Sequence, residues 1–380
     1  MIRLRISAET ESFRERLRSW LSSNPAPILT EDASLDQFIK ISRAWQAKLS
    51  SGGWIGISWP KEFGGQGLSL VEEAIFQEEL VASNSPQLVG LFGLTMVGPV
   101  LIKHGTTEQK QRYLNKIIDA SEIWCQGFSE PGAGSDLSAV KTRAERVPGG
   151  YSITGQKVWT SFAQVADWGF VLCRTSNGEK KHQGLTYLLV NMKSAGITLR
   201  PLRQISGDDE FNEVFFDSVF VPDEQRVGAE GEGWTIAIST LMYERVVLTF
   251  SRQLQSELLL RKLLKTKADS LSSEHQSRLA FEISRAAAVR ALAYQHLIEY
   301  SQGKTPGPEG SLDKLLWSES FQSICKLALE LAGPDVTAQK TVEARKALHD
   351  YLYSRGRTIA AGTSEIQRNI IAQRLLGLGK

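Results

Sequence analysis

Between residues 123 and 221 the chain reads as strands, and on either side of that stretch it reads as helices. Runs of β-branched and aromatic residues at 170–173, 185–190 and 214–221 are separated by turn signals at Pro148-Gly149-Gly150 and Asn177-Gly178, a pattern that builds antiparallel sheet. Upstream, Phe13, Leu17, Trp20 and Leu21 fall on one face of a 3.6-residue period that Pro25 ends. Phe38, Ile41, Trp45 and Leu49 repeat the pattern before Gly52-Gly53. Ser69 with Glu72 forms a capping box, His104-Gly105 is a helix stop, and Thr106 or Thr107 caps a helix carrying Tyr113, Leu114, Ile117 and Ile118. After Gly231 and Gly233 the helical period returns and runs to Leu378, interrupted around Ser270 and at 306–310. Helices, then strands, then helices, with no strand–helix alternation, argue against a doubly wound parallel sheet. They predict an α+β chain, mostly α. Its parts are an N-terminal helical domain over 1–121, a central β-barrel or sandwich domain over 122–231, and a C-terminal helical bundle over 232–380.

Composition narrows the function classes. The 380 residues carry 44 Lys+Arg against 42 Asp+Glu, a formal charge of +2, too even a balance for an electrostatic footprint on nucleic acid. With 42% hydrophobic and 23% charged residues the chain sits within the globular range. Cys125, Cys173 and Cys325 form no CxxC and suggest neither a disulfide framework nor a zinc site, which fits a reducing, cytoplasmic setting. Arg3, Arg5, Glu9 and Glu11 stand where a secretion signal needs an apolar run. The longest apolar stretch, 88–102, is broken by Gly90, Gly93, Gly98 and Pro99 and falls short of the roughly 20 residues that span a bilayer. It reads as buried helix, and no membrane span is expected. The five histidines lack ligand spacing, so no metal is expected either. GxGxxG after a strand, a Walker loop, HExxH and GxSxG are all missing from the sequence.

Four constellations remain. Gly127-Phe128-Ser129-Glu130-Pro131-Gly132-Ala133-Gly134-Ser135-Asp136 leaves a strand with backbone freedom at its glycines, and is either a ligand-presenting loop or an ordinary connection. Gly155-Gln156-Lys157-Val158-Trp159-Thr160-Ser161 sets a large aromatic beside two hydroxyls, a cofactor wall or simply core. Ala361-Gly362-Thr363-Ser364-Glu365-Ile366-Gln367-Arg368 opens a helix whose first-turn amides suit an anion or a plain cap. Glu244-Arg245 are the only charges between Glu232 and Arg252. They are either a buried acid with a raised pKa, useful for proton abstraction, or a solvated stripe.

Taken together and in order, these segments resemble the acyl-CoA dehydrogenase family along essentially the whole chain. Residues 128–136 resemble its flavin loop, Gln156 to Ser161 its second flavin-contacting strand, and Gly362 to Arg368 its C-terminal signature. The resemblance implies the acyl-CoA dehydrogenase fold, with a non-covalent FAD between the β domain and the C-terminal bundle. Gln126, Phe128, Ser129, Gly134, Ser135, Trp159, Thr160 and Ser161 would line the flavin, with Thr363, Ser364 and Glu365 approaching it through the C-terminal loop. An acyl-CoA thioester would lie on the other side of the ring, near Ser135, Arg245, Ala361 and Gly362. The implied reaction removes a proton from Cα and a hydride from Cβ to give a trans-2-enoyl-CoA, an electron-transfer flavoprotein taking the electrons.

The chain departs from the family's commonest pattern in two places. Straight-chain members carry the catalytic glutamate just before the signature glycine, where this chain has Ala361, whose methyl takes no proton. Isovaleryl-type enzymes and bacterial enzymes for bulky acyl groups place it on a helix at the position matching Glu244, which makes Glu244 the implied base. The QxxGG and Arg-x-x-Phe-Gly patterns that reach a neighbouring subunit's FAD are missing. The Gly207 to Phe216 stretch, the Gly307-Pro308-Glu309-Gly310-Ser311 loop leading to Lys314 and Leu331-Ala332-Gly333-Pro334 resemble the branch with bulky or steroid-derived substrates. Some members of that branch pair with a second, non-identical subunit, so a homotetramer or a heterotetramer is implied. An oxygen-using flavin monooxygenase or oxidase of the same fold, and a non-catalytic partner subunit, are the alternatives; retention of Glu244 argues against both.

Overall fold

A computed structural model describes residues 7–30, 33–267, 271–304 and 307–379, without the side chains of 244–251 and 267. The N-terminal helices are α1 (Ala8–Ser23), α2 (Leu35–Ser51), α3 (Leu70–Ala82), α4 (Gly98–His104) and α5 (Thr107–Ile118). The sheet consists of β1 (Trp124–Gly127), β2 (Arg143–Val147), β3 (Gly150–Ser161), β4 (Trp168–Arg174), β5 (Leu185–Asn191), β6 (Ile197–Leu202), β7 (Phe211–Pro222) and β8 (Arg226–Val227). Then come α6 (Gly233–Lys267), α7 (Ser273–Ser301), α8 (Glu309–Ala332), α9 (Asp335–Ala338), α10 (Val342–Arg357) and α11 (Ser364–Ile370). The mostly-α, helix–sheet–helix reading of the sequence is what the chain adopts.

Local chemistry sets the helix ends. Ser34, Ser69 and Thr106 each form the reciprocal cap with Gln37, Glu72 and Gln109 three residues on, satisfying amides that would otherwise be orphaned. The apolar run 88–102 does fold as buried helix, but with a π turn over Gly93–Val97 ahead of Pro99. Gln46 anchors α2 from a fully buried position: its Nε2 donates to the Ile117 carbonyl (2.9 Å) and its Oε1 accepts from Gly90 N (2.9 Å).

The sheet runs β6-β7-β3-β2-β4-β5-β8. Most pairs are antiparallel, as the turn signals indicate, but β1 joins β4 in parallel over Trp124–Gly127 and β2 touches β4 in parallel. That part of the pairing differs from the antiparallel reading, because β1 enters the sheet after a helix and loop rather than through a hairpin. Strands β4 and β5 are buried along nearly their whole length. Phe170, Leu172, Tyr187 and Leu189 pack into the core shared with the N-terminal helices, and Val171, Cys173, Leu188 and Val190 into a second core on the other face. A strand covered on both sides reads as a continuous apolar run rather than as alternation. Charged residues also knit the helices together: Arg14 donates to Glu78 (2.8 Å) and Glu79 (2.7 Å), while Arg290 of α7 reaches Glu257 of α6 (3.0 Å) and Glu78 of α3.

Candidate functional site

The loop after β1 is held by a buried ion pair. Lys157 of β3, fully buried, donates through Nζ to the Phe128 carbonyl (3.0 Å) and to Glu130 Oε1 (2.8 Å). Glu130 in turn accepts from the Lys141 and Thr142 amides (2.6 and 2.8 Å), and Val158 N donates to the Ser129 carbonyl (2.9 Å). Burial pushes the Glu130 carboxyl up, but Lys157 and these donors outweigh it and hold the group below the usual carboxylate range. The start of the loop is therefore fixed while its far part is open. Ser135 and Gly134 are exposed, and a Cβ at Gly132 or Gly134 would meet no atom within 4 Å. The Phe128 ring is core, edge-on to Phe170 and Tyr187 (5.7 and 5.9 Å between centroids), so only its backbone belongs to the loop surface.

Of the nine tryptophans, all among the described residues, Trp159 alone is exposed, at 59%. Its φ of 59° lies in the left-handed region that favours glycine, at a register shift between β3 and β7, and its ring meets Phe211 edge-on. Such a conformation persists only where the surroundings enforce it. Thr160, next along, is buried, and Ser161 is half-buried.

At the C-terminal end, Ala361 (φ 55°) and Gly362 (φ 88°) form a turn before α11. Gln367 Nε2 donates to both their carbonyls (2.9 and 3.1 Å), and the buried Lys314 Nζ donates to Gly362 O (2.7 Å). Thr363 caps α11, accepting from Ile366 N, and Glu365 is exposed. The preceding helix is pinned to the β6–β7 connection: His349 Nε2 meets Asp208 Oδ2 (2.9 Å) and the Tyr353 hydroxyl donates to Glu210 (3.1 Å). Hydrogen bonds to Asp208 and Asp350 push the His349 imidazolium up to about 9. Because the folded value lies above the unfolded one, its contribution is complete below about pH 6.5 and is lost as pH rises through about 9. The pair is partly solvated and therefore weak. His349→Ala is expected to lower the melting temperature at pH 6 by about 1–2 °C, with the difference from wild type vanishing by about pH 10; thermal melts across that range check it.

A cavity of about 370 Å³ is walled by residues 55–60 and 68–70, α3, the 88–102 segment, α6 and the end of α7. Tyr243 contributes the α6 wall, and burial pushes its hydroxyl up. Glu244 and Arg245 follow it on α6; their side chains lie outside the described residues. Neither the flavin-like loop nor the 361–365 turn lines this cavity. Sequence reasoning missed it, since its walls come from elements far apart in the chain and only the apolar spacing of each was readable. Among the described residues no helix is long and apolar enough to cross a membrane.

Three regions thus stand out: an open glycine loop held by a buried pair, a strained exposed indole, and a pinned turn at the last helix. Sequence comparisons place these regions in a family. The chain matches the acyl-CoA dehydrogenase N-terminal domain over residues 7–121, the middle domain over 125–219 and the C-terminal domain over 231–376. It belongs to the acyl-CoA dehydrogenase family and is an oxidoreductase. It is 39% identical over 382 aligned positions to acyl-CoA dehydrogenase IpdE1 of Mycobacterium tuberculosis, covering 97% of this chain and 98% of that protein. Among solved structures it is similar to the Tcur3481-Tcur3483 steroid ACAD (TM-score 0.86, 25% identity, all of both chains). It is also similar to the ChsE4-ChsE5 complex from Mycobacterium tuberculosis (TM-score 0.84, 28% identity, all of both chains).

The residues present suit a flavin. Gln126 Nε2 on β1 and Ser364 Oγ at the start of α11 are buried polar atoms with no protein partner among the described residues, and buried groups of this kind call for one. The open side of Gly132 and Gly134 and the exposed indole of Trp159 supply room and a flat apolar wall.

Proposed function

We propose that the chain is the catalytic subunit of an FAD-dependent dehydrogenase that converts an acyl-CoA thioester to the trans-2-enoyl-CoA, with Glu244 as the base. The observation that carries this reading is the cavity whose wall includes Tyr243, immediately before Glu244 on α6. An acyl group seated there would lie against the helix that carries Glu244. Bound FAD would supply the hydride acceptor, held by Gln126, Ser129, Gly134, Ser135, Trp159, Thr160 and Ser161, by the Phe128 backbone, and from the C-terminal turn by Thr363, Ser364 and Glu365. The work of the remaining residues is to hold and move a proton. Glu244 takes the proton from Cα, and the Ala361 and Gly362 N–H groups, in a turn whose carbonyls are already engaged, can donate to the thioester oxygen as negative charge develops. Arg245 and Ser135 would contact the acyl-CoA.

An electron-transfer flavoprotein is the acceptor we infer. The names of two similar structures each join two components, which supports a heterotetramer with a related subunit over a homotetramer. Apolar side chains exposed on the C-terminal helices, such as Phe281 and Ile298 of α7, fit an assembled state. Similarity to steroid-type enzymes favours a bulky acyl group.

The test is anaerobic mixing of the flavin-loaded protein with straight, branched and ring-bearing acyl-CoA thioesters, following the oxidised-flavin absorbance. We expect bleaching by ring-bearing thioesters within seconds and slower bleaching, or none, by straight chains. No bleaching by any thioester, with or without a co-expressed related subunit, would sink the assignment.

A further inference from the structure

The cavity beside Tyr243 is apolar over most of its wall, with Phe76, Leu88, Leu91, Leu94 and Ile102 facing it, yet α3 places a carboxyl there. Helix α3 carries four acids, and three are committed elsewhere. Glu72 closes the cap with Ser69 and accepts from Thr10 (2.7 Å). Glu78 takes Arg14, Arg290 and Tyr294, and Glu79 takes Arg14 and Arg18. Glu73 alone of the four lines the cavity. Its Oε2 accepts only at long distance, from Ser58 N (3.3 Å) and Ser58 Oγ (3.4 Å), with Gln77 one turn along the helix also touching it. Among the described residues no lysine, arginine or histidine lines the cavity.

Among the described residues that line the cavity, none offers this carboxyl a cation. Burial accordingly pushes it above the usual carboxylate range. A carboxyl accepts through its oxygens and donates through O–H when protonated, and Gln77 adds an amide that both donates and accepts. The cap of α3 is complete without Glu73, and beyond the long bonds from Ser58 a leucine would continue the apolar wall. The reacting carbons sit between Glu244 and the 361–362 turn in the proposed reading, and that turn does not line the cavity. The cavity therefore receives the part of the acyl group beyond Cβ.

We propose that Glu73, seconded by Gln77, determines specificity by hydrogen-bonding a neutral oxygen function, a ketone or hydroxyl, on the part of the acyl group remote from the thioester. This rests on the reading that the cavity takes the acyl chain. A plain hydrocarbon offers that pair no partner. Sites that hydrogen-bond a substrate oxygen discriminate strongly against analogues lacking it, because their own buried groups are then left unpaired.

The experiment compares 3-(4-oxocyclohexyl)propanoyl-CoA with 3-cyclohexylpropanoyl-CoA, which differ only in the distal ketone, on the flavin-loaded protein with its partner subunit. Wild type is expected to favour the ketone by about tenfold or more in kcat/KM, mainly through KM. Glu73→Leu should lose or reverse that preference, and Glu73→Gln, which keeps a donor and an acceptor, should retain most of it. Equilibrium binding of the same two thioesters to the Glu244→Gln protein gives a readout independent of turnover. A ketone preference in binding that Glu73→Leu erases upholds the role of Glu73 even if wild type fails to turn over either thioester, an outcome that counts against the dehydrogenase reading alone. Equal affinity for both thioesters in wild type, or an undiminished preference in Glu73→Leu, overturns the proposal.

Discussion

Glu244→Gln is expected to slow substrate-driven bleaching of the flavin by about 10²–10⁴-fold, the span that removal of a positioned general base produces. The amide matches the carboxylate in shape and can still hydrogen-bond, but it cannot take the Cα proton at neutral pH. Binding of acyl-CoA and retention of the cofactor should be close to wild type, so the loss falls on kcat rather than on KM. The expectation depends on position as much as on chemistry. Ala361 occupies the alternative base position, and its methyl leaves nothing there to substitute. Between Glu232 and Arg252 the helix offers one acid, and the residue before it walls the cavity. Stopped-flow bleaching of the variant, with its thermal melt as a control on folding, decides the matter. A rate within a few-fold of wild type would mean that another group accepts the proton.

Much of what positions this site was readable from the chain, and the limit is physical. Helix ends were legible because caps are local: Ser69 and Glu72 are three residues apart, and the bonds between them form as the sequence implies. The strand-rich middle was legible because β-branched runs and turn dipeptides are local too. The parallel pairing of β1 with β4 was not, since Trp124 and Trp168 meet across more than forty residues and no single stretch carries that information. The cavity escaped for the same reason. Its walls are drawn from residues as far apart as Ile55 and Ser301, and each wall by itself reads as ordinary core. Glu73 illustrates the point most sharply. In sequence it is one of four acids on a helix, and only the fold shows that the other three are taken by a cap and three arginines. Strain at Trp159 was equally hidden, because a positive φ at a tryptophan is imposed by the register shift beside it and not by its own preference.

Lys157→Met is expected to destabilise the protein by about 3–5 kcal/mol at pH 7, since it removes one partner from a buried pair and leaves the Glu130 carboxylate in a nearly dry site. The two amides from Lys141 and Thr142 would remain, but they do not neutralise the charge. The same lysine also grips the Phe128 carbonyl, so the loop that follows should loosen and the variant should lose FAD on gel filtration that wild type retains. The pH dependence carries the sign of the argument. In wild type the Glu130 carboxyl lies below its unfolded value, so its contribution is present above that value and is lost as pH falls through the folded one. Without Lys157 the carboxyl rises, so the deficit of the variant is largest near neutrality and shrinks as acid protonates Glu130. Adding Glu130→Gln to Lys157→Met removes the stranded charge and should recover much of the stability, because a buried pair is costly to break yet contributes little net stability over an uncharged replacement. Recovery of FAD retention need not follow, since the grip on Phe128 is still missing. If the double variant is as stable as wild type but still sheds FAD, the pair's role is to place the loop rather than to hold the domain together. A small Lys157→Met deficit with FAD retained would show that the pair does neither, and a large deficit unchanged between pH 7 and pH 4 would show that the stranded Glu130 charge is not its cause.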